Sequence, residues 1–136
     1  MVLHLIKLSV GTDSLADLAQ WQEGQVKSRG RITHTTRMVP KRTQELLEGG
    51  SIYWIIKGYI LGRQPLIAIE PFQDGEGIGR CHLVMQPGLI PVAPRARRPF
   101  QGWRYLKPAD APPDLKAGSG NFNEDLKREL AELGLL

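Results

Sequence analysis

Apolar positions come in short alternating or β-branched runs through the first two thirds of the chain, separated by glycine- and proline-containing breaks. Val2–Val10 (VLHLIKLSV) reads as a strand. Gly11-Thr12-Asp13-Ser14 interrupts it and offers N-cap oxygens. Leu15, Leu18, Ala19 and Gln22 follow at i, i+3, i+4 and i+7, predicting a helix from Ser14 to Lys27 that Gly30 ends. Ile32–Met38 (ITHTTRM) is β-branched and predicts a second strand. Pro40 suits the first turn of a short helix, PKRTQELLEG, with Gly49-Gly50 at its C-cap.

Ser51–Ile60 (SIYWIIKGYI) carries the strongest β signal. Ile52, Trp54 and Ile56 lie on one face and Tyr53 and Ile55 on the other, the pattern of a central strand covered on both sides. Leu61-Gly62-Arg63-Gln64 is expected to connect it as a hairpin to Pro65–Glu70 (PLIAIE). DGEGIG reads as a turn into Arg80–Met85, and Gln86-Pro87-Gly88 as another before Leu89–Val92. Two early helices among short strands predict an α+β domain over residues 1–106, either a small, curved, mostly antiparallel sheet or a β-barrel. Residues 107–122 are rich in Pro and Gly and read as a surface linker. In residues 123–136 a stripe through Leu126, Leu130 and Leu133 predicts a C-terminal helix, packed on the domain or pairing the chain as a homodimer.

The chain has 136 residues, 41% of them hydrophobic, which suffices for a packed core and excludes wholesale disorder. Its net charge of +4 is unevenly spread: residues 1–106 hold 14 basic and 8 acidic side chains, residues 107–136 hold 4 and 6. Between Gly24 and Gln44 come Lys27, Arg29, Arg31, Arg37, Lys41 and Arg42 without one acid. Cys81 is the single cysteine, so no intrachain disulfide forms. The N-terminal apolar run is too short for a signal sequence, and no run reaches the ~18 apolar residues of a membrane span. A cytoplasmic protein with no membrane partner is expected.

Charge draws attention to two segments. RARRPFQGWRYLK places Arg95, Arg97, Arg98, Arg104 and Lys107 among Phe100, Trp103 and Tyr105, a combination suited to phosphates and unstacked bases. Against this, aromatics at alternating positions commonly fill a core while the arginines face water. Arg37, Lys41 and Arg42 would form a phosphate clamp if they lie where a strand enters a helix. Catalytic constellations are absent. His4, His34 and His82 lack metal-ligand spacing, and adjacent Cys81 and His82 on a strand point to opposite faces. No cofactor or metal is called for. His34, flanked by threonines and near Arg37, is the one histidine in a candidate polar pocket.

Together THTTRMVPKR, GGSIYWIIKG, LGRQPL and RRPFQGWRYLKPADAPPDL resemble a bacterial family of uncharacterised single-domain proteins, over nearly the whole chain. A remoter similarity is to PUA-like barrels, including the ASCH type, and implies RNA or nucleotide binding. The ASCH-type GxKxxExR motif is absent, with Arg37–Arg42 only a loose counterpart. The expectation is an RNA- or polyanion-binding module using Arg37, Lys41, Arg42 and the Arg95–Arg104 segment, with Trp103 and Tyr105 contacting bases. The alternatives are an enzyme acting on a small phosphorylated or nucleotide-like ligand near Arg37 and His34, and an oligomerising or adaptor protein.

Overall fold

Seven strands form one mixed sheet in the order β2-β5-β4-β3-β1-β7, with β6 paired to β4 beside this path. They are β1 (His4–Leu8), β2 (Ile32–Thr36), β3 (Ser51–Ile56), β4 (Tyr59–Gln73), β5 (Gly79–Met85), β6 (Ile90–Ala96) and β7 (Trp103–Leu106). Helices α1 (Leu15–Arg29) and α2 (Thr43–Leu47) lie between β1 and β3. The structure is a computed structural model and describes residues 2–115. The fold is α+β, as expected, and every strand pair but parallel β1/β3 is antiparallel. The sheet does not close into a barrel: β2 and β7 end the path without pairing to each other. The predicted C-terminal helix and homodimer contact lie outside the described residues.

The hairpin sits elsewhere than its predicted position. Ile56 pairs with Tyr59, so the turn is Lys57-Gly58. Both turn residues have positive φ, 51° and 83°, as a twist-matched two-residue hairpin requires. Leu61–Gln64, predicted as the connection, runs inside β4. That strand is the spine of the sheet. Its first half pairs with β3 and β6, its second with β5, and bulges near Gly62 and between Leu66 and Ala68 bend it. The bend curls the sheet so that β2 faces β3: His34 meets the Trp54 ring edge-on, centroids 6.4 Å apart.

The concave side holds the larger core, with Leu5, Leu15, Leu18, Ile32, Trp54, Leu83 and Trp103 among its members. α1 fills this trough. Ser14 caps it by accepting the Asp17 N–H at 3.1 Å, and the Gly30 N–H closes it onto the Val26 carbonyl. A Cβ at Gly62 would come within 2.6 Å of the Leu15 side chain, which shows how closely helix and spine approach there. The fourth position of the predicted stripe is polar but buried. Gln22 and Gln64 exchange amide hydrogen bonds at 2.6 and 2.8 Å. Gln64 also accepts from Trp54 Nε1 and donates to the Gln86 carbonyl, which uses its full hydrogen-bonding capacity. On the convex side Ile6, Tyr53, Ile55, Ile60, Val92 and Leu106 form a second core, against which Phe100 and Ala111 pack.

Two of the sheet edges, β2 and β6, are occupied in part by their own chain. Gln25 of α1 accepts from the Thr33 N–H and donates to the Thr33 carbonyl, imitating a neighbouring strand along β2. The segment after Leu106, read from sequence as linker, lies along β6 as far as Leu115. Ala93 N–H bonds the Pro113 carbonyl, Leu115 N–H bonds the Pro91 carbonyl, and Arg63 pairs with Asp114.

Candidate functional site

A cavity of about 560 Å³ opens at the carboxyl end of β1, between the β1–α1 loop, the first turns of α1 and the curled sheet. That is where ligands enter open sheets with parallel strands. Lys7 forms its inner wall. Strand alternation puts Lys7 on the concave side with its register partners Trp54 and Trp103, and it is only 9% exposed. No carboxylate among the described residues pairs with it. Burial lowers the Lys7 pKa. Asp17 also lines the cavity, but it is exposed and its carboxylate accepts the Asp13 N–H at 3.1 Å.

His34 faces Lys7 from β2. Desolvation, and then the Lys7 charge, push the His34 pKa down to about 4, so the imidazole is neutral at physiological pH. It can therefore donate from one nitrogen and accept at the other without adding a second cation. Ser9 and Thr12, whose hydroxyls are 2.6 Å apart, supply further polar groups, and Val10 and Trp21 form an apolar rim. Trp54 is held in the wall by its bond to Gln64.

The basic residues singled out from sequence divide between the two sides of β7. Trp103 and Tyr105 point toward the concave core, and the Arg37–Arg42 loop docks on them. Trp103 Nε1 donates to the Met38 carbonyl at 2.7 Å, and the Tyr105 hydroxyl accepts the Lys41 and Arg42 N–H groups at 3.0 and 3.3 Å. Trp103 is 6% exposed and so presents no face to a base. Arg37, Lys41 and Arg42 lie between β2 and α2, where the sequence predicts a clamp. α2 has five residues, the Lys41 and Arg42 amides just ahead of it bond Tyr105, and Arg42 makes a two-point ion pair with Glu45. Glu45 pulls the Arg42 pKa up, and Arg42 holds the Glu45 carboxyl below the usual range. Arg37 is exposed and is not among the cavity-lining residues.

On the other side of β7, Arg104 lies over the Phe100 ring at 4.2 Å and Arg97 over the same ring at 5.6 Å. Arg95 lies on this side too, opposite Ile60 in the register, and donates to the Asp110 carbonyl at 2.8 Å. Arg98 is exposed. None of these four pairs with an acid among the described residues. The two basic clusters thus share the β7 edge but not a face.

Other groups read from sequence are accounted for structurally. Cys81 is buried in the concave core with its thiol pKa raised by burial, and His82 stacks on Phe72 on the opposite face. Glu70 is bound at both oxygens by Arg31. Among the described residues no group of three or more metal-ligating side chains assembles, and no helix is long and apolar enough to cross a membrane.

Lys7, Trp21 and Gln64 carry no motif and belong to no charge cluster. Two of them have a signal in the sequence. Lys7 is the one charged residue in a strand whose other positions are apolar or histidine, and such a strand is buried on both sides. Trp21 flanks the predicted stripe and does not belong to it. The chain belongs to the family described as protein of unknown function (DUF1489), whose model matches residues 5–136. No curated protein and no solved structure matches it.

Proposed function

We propose that the protein binds a small anionic ligand in the cavity at the end of β1, with Lys7 as the anchoring cation. The observation that carries this reading is a lysine buried in a concave site with no carboxylate partner among the described residues. An unpaired ammonium is costly to bury, and a ligand anion supplies the missing partner. Neutral His34 and the Ser9 and Thr12 hydroxyls add uncharged hydrogen-bonding groups. Perturbed titrating groups in a cavity of this size are the usual mark of a ligand site. Calorimetric titration with inorganic phosphate and acetate tests it. Binding should weaken as pH rises through the lowered Lys7 pKa, and Lys7→Met should weaken it by about 10–100-fold, the range of a charge-assisted hydrogen bond. Equal binding by Lys7→Met and the parent protein would sink the reading.

A second reading rests on a different observation, the contact of both Arg97 and Arg104 with the Phe100 ring, with Arg95 and exposed Arg98 in the same segment. Here a polyanion such as RNA, the partner that the PUA-like resemblance implies, would contact the arginines through its phosphates. Bases would stack on none of the buried aromatics. The expected behaviour is a steep fall of affinity with salt, log K dropping linearly with log salt concentration. No binding of single-stranded or structured RNA at low salt would remove this reading and leave the first untouched.

A further inference from the structure

The cavity has two chemically distinct ends. Lys7 is buried at the inner wall, whereas Val10 and Trp21 at the rim are 77% and 56% exposed, two of the most exposed large apolar residues described. The three tryptophans differ in the same way. Trp54 and Trp103 are buried and each donates its indole N–H to a protein oxygen. Trp21 makes no hydrogen bond, ring contact or cation contact among the described residues. α1 holds it in place from Leu18, one turn earlier, which is buried on the same helix flank and lines the same cavity. A large aromatic ring left uncovered beside a cavity, rather than turned into the adjacent trough, offers a face on which a ring can stack.

We propose that the ligand is a planar aromatic compound with one anionic group, the ring stacked on Trp21 at the rim and the anion directed inward to Lys7. The inference rests on reading the cavity as an anion site and adds the class of ligand. The cavity falls inside the ~300–1,000 Å³ typical of small-molecule sites, large enough for a ring beside its charged substituent. Neutral His34, set edge-on against Trp54, also lines the cavity and offers a hydrogen-bonding group for a ring substituent. The anionic group can be a carboxylate or a phosphate, so both are tested.

Calorimetry on the full-length protein would compare benzoate with acetate, and adenosine monophosphate with inorganic phosphate. At least one ring-bearing probe should bind about tenfold more tightly than its ringless counterpart, within the range that stacking on an aromatic side chain contributes. Trp21→Ala should abolish that advantage while leaving the ringless affinity within about twofold, and Trp21→Phe should restore part of it. The carboxylate and phosphate arms identify which anion the site takes. Ringless probes bound through Lys7 with no ring advantage, or an advantage kept in Trp21→Ala, would overturn this inference and leave the anion site standing. Failure of all four probes to bind would overturn both.

Discussion

The cavity behind β1 and the arginine face of β7 place positive charge in two different surroundings. The arginine face has four guanidiniums, all partly or fully in water, two of them resting on one phenylalanine. The cavity has one ammonium, on a lysine that is largely buried. In a high dielectric each solvated charge contributes little and is screened by salt, so such a face acts through number. In a desolvated site one charge interacts strongly and has no water to fall back on, so it acts through position. The first suits an extended polyanion; the second suits a single small anion.

The widest separation between the two regions is expected from the core. Gln64→Leu leaves the Gln22 amide, the Trp54 N–H and the Gln86 carbonyl without their partner. It should destabilise the protein by about 2–4 kcal/mol in denaturant unfolding, since each stranded group costs about 1–3 kcal/mol and some regain water. It should also disturb the cavity wall through Trp54. A destabilisation below about 1 kcal/mol would mean that the cavity is not built on this network.

Acid titration comes next. His34 has an ordinary pKa of 6.5 and about 4 in the fold, so the unfolded chain binds its proton first. Its contribution is unaffected above pH 6.5, is eroded as pH falls from 6.5 to 4, and levels off below, for a loss of up to about 3 kcal/mol. His4, whose pKa is also lowered by burial and then by Arg63, adds to the same slope. Thermal melts of His34→Gln should lose most of this slope, and an unchanged slope would place His34 in water.

Lys7→Met should move stability the other way. A lowered lysine pKa penalises the fold fully at pH values below it, and the penalty fades as pH rises toward the ordinary 10.5. Removing the charge should therefore raise stability near neutrality while weakening anion binding by about 10–100-fold. A gain in stability alongside weakened binding is the signature of a functional buried charge.

The smallest effect belongs to the arginine face. Arg98→Ala with Arg104→Ala should change stability by no more than about 1 kcal/mol, as exposed substitutions do. If that face binds RNA, the salt slope should fall by about 0.7–0.9 for each phosphate that is no longer neutralised. A large fall in stability instead would make Arg104 and Phe100 part of the convex core's cover.

Local order is legible wherever it depends on neighbours in the chain. The Ser14 cap, the Leu15–Leu18 stripe, the two-faced β3 and the opposed Cys81 and His82 all follow from backbone periodicity. The expected Leu61–Gln64 connection is misplaced because Lys57-Gly58 is a weaker turn signal than a four-residue stretch holding glycine and two polar residues. Only the pairing of Ile56 with Tyr59 shows the tighter hairpin. Arg37, Lys41 and Arg42 look like a continuous basic cluster in sequence, yet a strand-edge tyrosine spends two amides and Glu45 takes one charge.

By itself the sequence determined the α+β class, the order of helices and strands as far as β6 but not β7, the lack of any intrachain disulfide and the existence of two basic segments. These follow from composition and from the strand and helix periods that local geometry dictates. The tertiary structure alone decided that the basic segments fall on opposite sides of β7, that Gln22 and Gln64 meet across the core, and that Lys7, His34 and Trp21 surround one cavity. The physical reason is the bend in β4, which brings β2 over β1 and β3. No local rule encodes that approach, and the desolvation that gives Lys7 and His34 their character exists only after the sheet has curled.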